Sequence, residues 1–242
     1  MDEFLKKIED LCKRSKNKNI ITYTGFLTPT ERELITKNFS KEKIFFSGGM
    51  DKVERVRAFF LPDYMDEVIL NEYITALCAK FSYKELTHRD FLGSILGLGI
   101  ERKCIGDIFV FEKEAYFLVT KDISEYIKIN LNKVGSIGVR LIEVSLDEVR
   151  VIEPSFEEIN FSVSSLRLDS VVADSIFESR EKTIDFIKNG IVLLNYLPCE
   201  NPSQKVNQDD IFSVKGYGKF KISEIGGISR RGKTFVKVNK YI

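Results

Sequence analysis

The stretch LRLDSVVADSIFESREKTIDFIKNGIVLLN, residues 166–195, carries two short apolar periods followed by an apolar run. Leu166, Leu168, Val171, Val172 and Ile176 recur at helical spacing and predict one amphipathic helix. Ser179 then stands as the N-cap of a second, with Asn189-Gly190 as a left-handed stop. The run IVLLN predicts a strand. Arg180 occupies the start of the second helix, where unpaired amides and the positive dipole end favour an anion. Its guanidinium fork suits phosphate oxygens. Arg167 and Lys182 fall on or near the same face, and Lys188 follows one or two turns on. Such an edge suits an anion with phosphate-like oxygens.

Downstream, DDIFSVKGYGKFKISEI and TFVKVNKYI predict strands. Between residues 211 and 242 stand eight basic residues (Lys215, Lys219, Lys221, Arg230, Arg231, Lys233, Lys237 and Lys240) against one acid, Glu224. The net charge of the whole chain is only +1, so the remainder is acidic. Charge separated in this way points to an anionic partner at the C-terminal end. The octet GISRRGKT, residues 227–234, matches the phosphate-binding pattern G-x-x-x-x-G-K-[ST]. A P-loop must open a helix, yet Phe235, Val236, Val238 and Tyr241 alternate with lysines as a strand does. The nucleotide-hydrolysing reading fails. Gly226-Gly227 and Gly232 instead predict a tight connection bearing Arg230, Arg231 and Lys233.

Upstream, residues 71–160 read strand, helix, strand, strand, helix, strand. The pieces are YITALCAKF, THRDFLGSIL with Thr87 as N-cap and Asp90 as its capping partner, two strands about a turn at Glu112-Lys113-Glu114, ISEYIKINL and GVRLIEV. That order is the split βαβ, or ferredoxin-like, arrangement. DIFVFEK lacks the glycine-aromatic pattern of a base-stacking strand. His88-Arg89-Asp90 lacks the companion motifs of a kinase catalytic loop. GSILGLG reads as a helix end with a left-handed glycine at Gly97 or Gly99. Residues 1–70 predict a helix, a short strand, a second helix opened by Thr28-Pro29 with Glu31 as capping partner, and two strands. The expected class is therefore α+β, in three parts: an N-terminal α/β module (1–70), a ferredoxin-like RNA-binding domain (71–160) and a C-terminal RNA-binding domain (161–242).

With 43% hydrophobic and 30% charged residues, the chain has the composition of a globular protein. No run approaches the ~18 apolar residues of a membrane span, and the charged N-terminus lacks the pattern of a signal peptide. Cys12, Cys78, Cys104 and Cys199 stand far apart, and His88 is the only histidine, so no zinc spacing exists. The expectation is a cytoplasmic, monomeric protein with reduced thiols, no cofactor and no metal.

Arg167-Leu168-Asp169, Ser179-Arg180, FIKNGIVLLN (186–195) and PSQKVNQDDIFSV (202–214) together resemble the RNA-binding domain named after small-subunit ribosomal protein S four, the alpha-L motif. Thr183 stands where that family has alanine, and Tyr196 where it has glycine. THRDFLGSILGLGIERKCIGDIFV and SGGMDKVERVRAFFLP extend the resemblance over nearly the whole chain, to the YlmH-like family of bacterial proteins. The resemblance implies association with ribosomes and binding of structured RNA, ribosomal or transfer. Related small alpha-L proteins bind large subunits that still carry peptidyl-tRNA, in the rescue of stalled translation. The expected RNA contacts are Arg167, Ser179, Arg180, Lys182, Lys188, Lys205, Lys215, Lys219, Lys221, Arg230, Arg231 and Lys233, with Arg55, Arg57, Arg89, Arg102 and Lys103 as secondary candidates. Two alternatives compete: an RNA-modifying enzyme, since Arg167-Leu168-Asp169 is similar to the catalytic tripeptide of pseudouridine synthases, and a cell-division adaptor that uses the acidic N-terminal part.

Overall fold

The computed structural model describes residues 3–82, 85–229 and 232–242. The chain forms two compact units, Met1–Ile152 and Glu153–Ile242.

The first unit begins with α1 (Glu3–Lys18), β1 (Thr22–Tyr23), α2 (Pro29–Asn38), β2 (Ile44–Ser47) and β3 (Arg57–Phe60). The three strands form an antiparallel sheet in the order β1-β3-β2. The expected capping box opens α2: the Glu31 amide donates to Thr28 Oγ1 at 3.3 Å, and the Thr28 amide donates to Glu31 Oε2 at 2.7 Å. Next come β4 (Ile74–Phe81), α3 (His88–Leu96), β5 (Ile105–Val110), β6 (Glu114–Thr120), α4 (Lys121–Asn130), β7 (Lys133–Val134) and β8 (Ile137–Val144). Their sheet order, β5-β6-β4-β8-β7 with antiparallel neighbours, is the ferredoxin-like topology with one short edge strand added. His88-Arg89-Asp90 proves to be the capped first turn of α3, and Gly99 supplies the left-handed residue beyond its end.

Alternate residues of β4 and β6 serve two different cores. Leu77, Ala79, Phe117 and Val119 pack with Phe91 and Ile95 of α3 and Ile127 of α4. Ile74, Ala76, Cys78, Tyr116 and Leu118 pack instead with Phe26, Phe59 and Leu61. The sheet is thus buried on both faces, which is why YITALCAKF reads as a nearly continuous apolar run. It also explains why residues 1–70 and the ferredoxin-like part make one unit: the small β1-β3-β2 sheet shares a core with the larger one. A close approach secures this contact, since the Phe26 amide donates to Lys103 O at 2.6 Å. A Cβ on Gly25 would lie 2.6 Å from that same oxygen. Gly25→Ala is therefore expected to destabilise the protein by about 1–3 kcal/mol in urea unfolding.

The second unit comprises β9 (Phe156–Val163), α5 (Leu168–Ile176), α6 (Arg180–Lys188), β10 (Val192–Leu194), β11 (Leu197–Pro198), β12 (Ile211–Val214), β13 (Gly218–Ile228) and β14 (Thr234–Tyr241). One sheet, β11-β10-β12-β13-β14-β9, packs its inner face on α5 and α6. Leu168, Val171, Val172 and Ile187 meet Phe212, Phe220, Ile222, Val236 and Val238 there. Strand β9 is absent from the sequence reading, and the boundary set at 160 falls inside it. Its acidic face obscured it, and its pairing explains it: Glu157 lies opposite Lys240 and Asn160 opposite Lys237 across the β14 ladder.

Gly226-Gly227 do not form the expected connection. They lie inside β13, at a register shift between Ile225 and Ile228. Within GISRRGKT, β13 ends at Ile228 and β14 begins at Thr234; the Ser229 amide donates to Lys233 O, the Gly232 amide to Ser229 O, and Gly232 has φ +75°. No helix follows, as the failure of the P-loop reading required. Arg230 and Arg231 lie outside the described residues.

Candidate nucleic-acid interface

Asp169, in the first turn of α5, has no exposed surface. Its carboxylate is gripped from two sides. Arg167 donates through Nε and Nη2 to Oδ1 and Oδ2 at 3.1 and 2.9 Å. Arg180 donates through Nε and Nη2 to Oδ2 at 3.2 and 3.0 Å. Burial opposes ionisation of Asp169, but the hydrogen bonds from the two guanidinium groups outweigh it, and the carboxyl stays below the ordinary aspartate range. Arg167 is the N-cap residue of α5 and Arg180 the first residue of α6. One buried anion thus ties the two helix starts together and fixes both arginines, whose side chains stay 38% and 49% exposed.

The segment before β12 joins this edge. The Leu168 amide donates to Gln204 O, the Asp169 amide to Pro202 O, and the Val206 amide to Leu166 O. Arg167 and Lys205 pair as backbone neighbours. Lys205 is exposed and has no ion pair among the described residues; the same holds for Lys188, Lys215 and Lys233. Lys215 stands near the end of α6, its amide donating to Ile191 O.

Other expected contacts are engaged elsewhere. The Ser179 hydroxyl accepts from the Lys182 amide at 3.2 Å as the cap of α6. Lys182 Nζ pairs with Glu178 at 2.7 Å, and Glu178 also accepts from Tyr217 Oη. Lys219 and Lys221 alternate with buried Phe220 and Ile222, so they face away from the helices. There Lys221 pairs with Asp209 at 2.8 Å, and Lys219 lies 4.6 Å from the centre of the Tyr241 ring and 5.3 Å from that of Tyr196. The expected contacts therefore divide between two faces of the unit. Arg167, Arg180 and Lys205 gather at the helix starts; Lys219 and Lys221 do not join them.

Both departures from the alpha-L pattern fit locally. Thr183 is fully buried, its hydroxyl donating to Ser179 O at 3.0 Å. Asn195 and Tyr196, at φ +47° and +64°, make the two-residue turn between β10 and β11.

The secondary candidates change more. Arg57 is buried, with Nε donating to Thr24 O and Nη1 to Tyr73 O. Arg55 donates to Ile105 O and Phe26 O, and Arg102 to Ile105 O and Gly106 O. These three guanidinium groups staple backbone segments of the first unit instead of standing free for an RNA. Lys103 is exposed and paired with Glu101, and Arg89 is exposed in the first turn of α3.

Phe177 is not among the expected contacts. It caps α5 in the left-handed conformation at φ +57° and is 81% exposed. An apolar ring there gains little burial, and its backbone is strained. Phe177→Gly should raise stability by about 1 kcal/mol in denaturant unfolding.

Among the described residues, no group of three or more His, Cys, Asp or Glu side chains is placed to hold a metal ion, and no helix is long and apolar enough to cross a membrane. The chain is thus of the class that couples a ferredoxin-like module, covered on both sheet faces, to a two-helix unit with a basic edge. Residues 73–148 match the family described as "Putative RNA-binding domain in YlmH". Over 214 residues, 87% of this chain and 83% of the relative, it is 30% identical to ribosome-associated protein quality control protein P2 of Bacillus subtilis (strain 168). A solved structure, cell division protein ylmH from Streptococcus pneumoniae, is 28% identical with a TM-score of 0.54, covering 60% of this chain and 91% of that one. The chain belongs to the YlmH family.

Proposed function

We propose that this protein is a non-enzymatic RNA-binding factor of the bacterial cytoplasm. It associates with the large ribosomal subunit, contacts ribosomal RNA or tRNA through the helix-start edge of its second unit, and serves the rescue of stalled translation. The observation that carries the reading is the joining of two helix N-termini, Arg167, Arg180 and Lys205 around one buried aspartate. Positive dipole ends and preset guanidinium groups on one edge suit a polyphosphate chain. The relative from Bacillus subtilis, named for ribosome-associated quality control, supports the same direction.

Base stacking on the ferredoxin-like sheet is not part of the reading, because the N-terminal segment covers the face an RNA would need. Phe177, beside the cap of α6, offers an exposed ring for an unpaired base instead. Asp169 is a poor candidate for enzymatic chemistry: it is enclosed and saturated by two guanidinium groups. The name of the Streptococcus pneumoniae protein favours a second reading, an adaptor in cell division. Crosslinking of RNA to the protein in living cells separates the two. The proposal expects crosslinked nucleotides to cluster in large-subunit RNA or tRNA at peptides from residues 166–190 and 202–206; an absence of RNA crosslinks there would leave the adaptor reading.

A further inference from the structure

The segment between β3 and β4 includes DYMDEVILNE, residues 63–72, with four acids and no basic residue. With the turn that ends α1 it forms an open groove of about 410 Å³ in the first unit. Three large apolar side chains on the groove stand exposed: Ile20 at 41%, Tyr64 at 66% and Ile69 at 67%. Exposed apolar residues scattered singly are ordinary, whereas a cluster of them around one concavity marks a contact surface. The cluster is held in place. Tyr64 Oη donates to Asn19 O at 2.9 Å, and Asn19 has a left-handed φ of +53°. Lys43 Nζ anchors the segment by donating to Asp63 O at 3.1 Å and Asp66 Oδ1 at 2.7 Å. The Glu72 amide donates to Ile69 O at 3.1 Å, closing the helical turn Leu70–Glu72 that follows Ile69. Side chains fixed in this way lose little freedom when a partner covers them.

Of the residues that line the groove, two are charged, Glu67 and Glu72, and both are exposed with no ion pair among the described residues. The bases nearby are engaged or lie outside it. Lys43 pairs with Asp66 and Lys16 with Glu42, each at 2.7 Å, and Lys18, the exposed last residue of α1, does not line the groove. The main chain is open as well. Among the described residues, the amides of Glu67, Val68 and Ile69 and the carbonyls of Glu67 and Val68 have no hydrogen-bond partner. A partner backbone that runs alongside can bond to them while its side chains enter the groove.

We propose that this groove docks a basic, apolar segment of another protein, its aliphatic side chains against Ile20, Tyr64 and Ile69 and its Lys or Arg side chains toward Glu67 and Glu72. Charge complementarity selects that occupant: the acidic rim repels the phosphates of an RNA and attracts cations. A cation over the face of the exposed Tyr64 ring gains further. The proposal concerns the first unit alone and does not rest on the RNA reading of the second.

The test selects binders to the full chain from a phage-displayed library of random dodecapeptides, then titrates the most enriched peptide, synthesised with a fluorophore, by fluorescence polarisation. The enriched peptides are expected to combine Lys or Arg with large aliphatic residues. Binding should weaken about tenfold in Ile69→Ser and about tenfold in Glu67→Gln with Glu72→Gln. Glu158→Gln with Glu200→Gln, two exposed acids of the second unit, should leave it unchanged. These substitutions touch exposed side chains, and serine suits position 69, which precedes a helical turn, so the fold is retained. The proposal is overturned if no peptide is enriched, if the enriched peptides lack cations, if the groove variants bind as the parent does, or if the control pair weakens binding equally. Self-association of the parent that Ile69→Ser abolishes would assign the groove to a second copy, and binding of oligouridylate that Ile69→Ser weakens would assign it to RNA; either overturns the proposal.

Discussion

Asp169→Asn is expected to destabilise the second unit by about 2–4 kcal/mol. The carboxylate is fully enclosed and receives four hydrogen bonds from Arg167 and Arg180. An asparagine in its place turns an amide N–H₂ toward at least one guanidinium, leaving donors facing donors. Because the chain has two units, hydrogen exchange at the amides of α5 and α6 is the appropriate readout. Acid should act in the same direction. The folded-state pKa of Asp169 is lowered, so its contribution is full above the unfolded value near 4 and disappears as pH falls through the lower, folded value. The parent should lose this protection below about pH 4, and the Asn variant should lack that step. Unchanged exchange in the variant at neutral pH would show that the double arginine clamp contributes nothing.

The second large effect is on RNA affinity. Lys188 and Lys205 are exposed and have no ion pairs among the described residues, so alanine removes charge without disturbing a packed contact. If each neutralises one phosphate, the double substitution lowers the slope of log K against log salt by about 2. Affinity for a large-subunit RNA fragment at low salt should fall by one to two orders of magnitude, roughly one per lost contact. Lys219→Ala with Lys221→Ala should change the slope less, because these residues face away from the helices and already meet Tyr241 and Asp209. Equal losses from both pairs would place the RNA across the sheet rather than at the helix starts.

Much of this architecture was legible in the residues, for identifiable reasons. Thr28 with Glu31 and Thr87 with Asp90 form reciprocal capping boxes, a local geometry that needs no tertiary partner. The two glycine-rich stretches that imitate nucleotide motifs, GSILGLG and GISRRGKT, sit in the wrong local pattern for a phosphate loop: the first lies at the end of α3, and the second runs from the last residues of β13 to the first of β14. Strand β9 stayed hidden because its acidic residues suit a strand only beside basic β14, a long-range pairing. Arg57 was misjudged for a related reason. Its neighbours in β3 do not reveal that Thr24 and Tyr73, from two other segments, close over it. Arg167 and Arg180 were legible as exposed basic residues at the two helix starts, but their shared grip on Asp169 was not, since the Arg180 contact spans eleven positions of sequence.

The most direct measurement of the central claim is cosedimentation of the full chain with purified large ribosomal subunits across a salt series. The parent is expected to pellet with the subunits at about 50 mM salt and to be released as salt rises, while a chain with Arg180, Lys188 and Lys205 all replaced by alanine remains in the supernatant, its fold verified by hydrogen exchange. A parent chain that stays in the supernatant at low salt, or a folded triple variant that pellets as the parent does, would contradict the account.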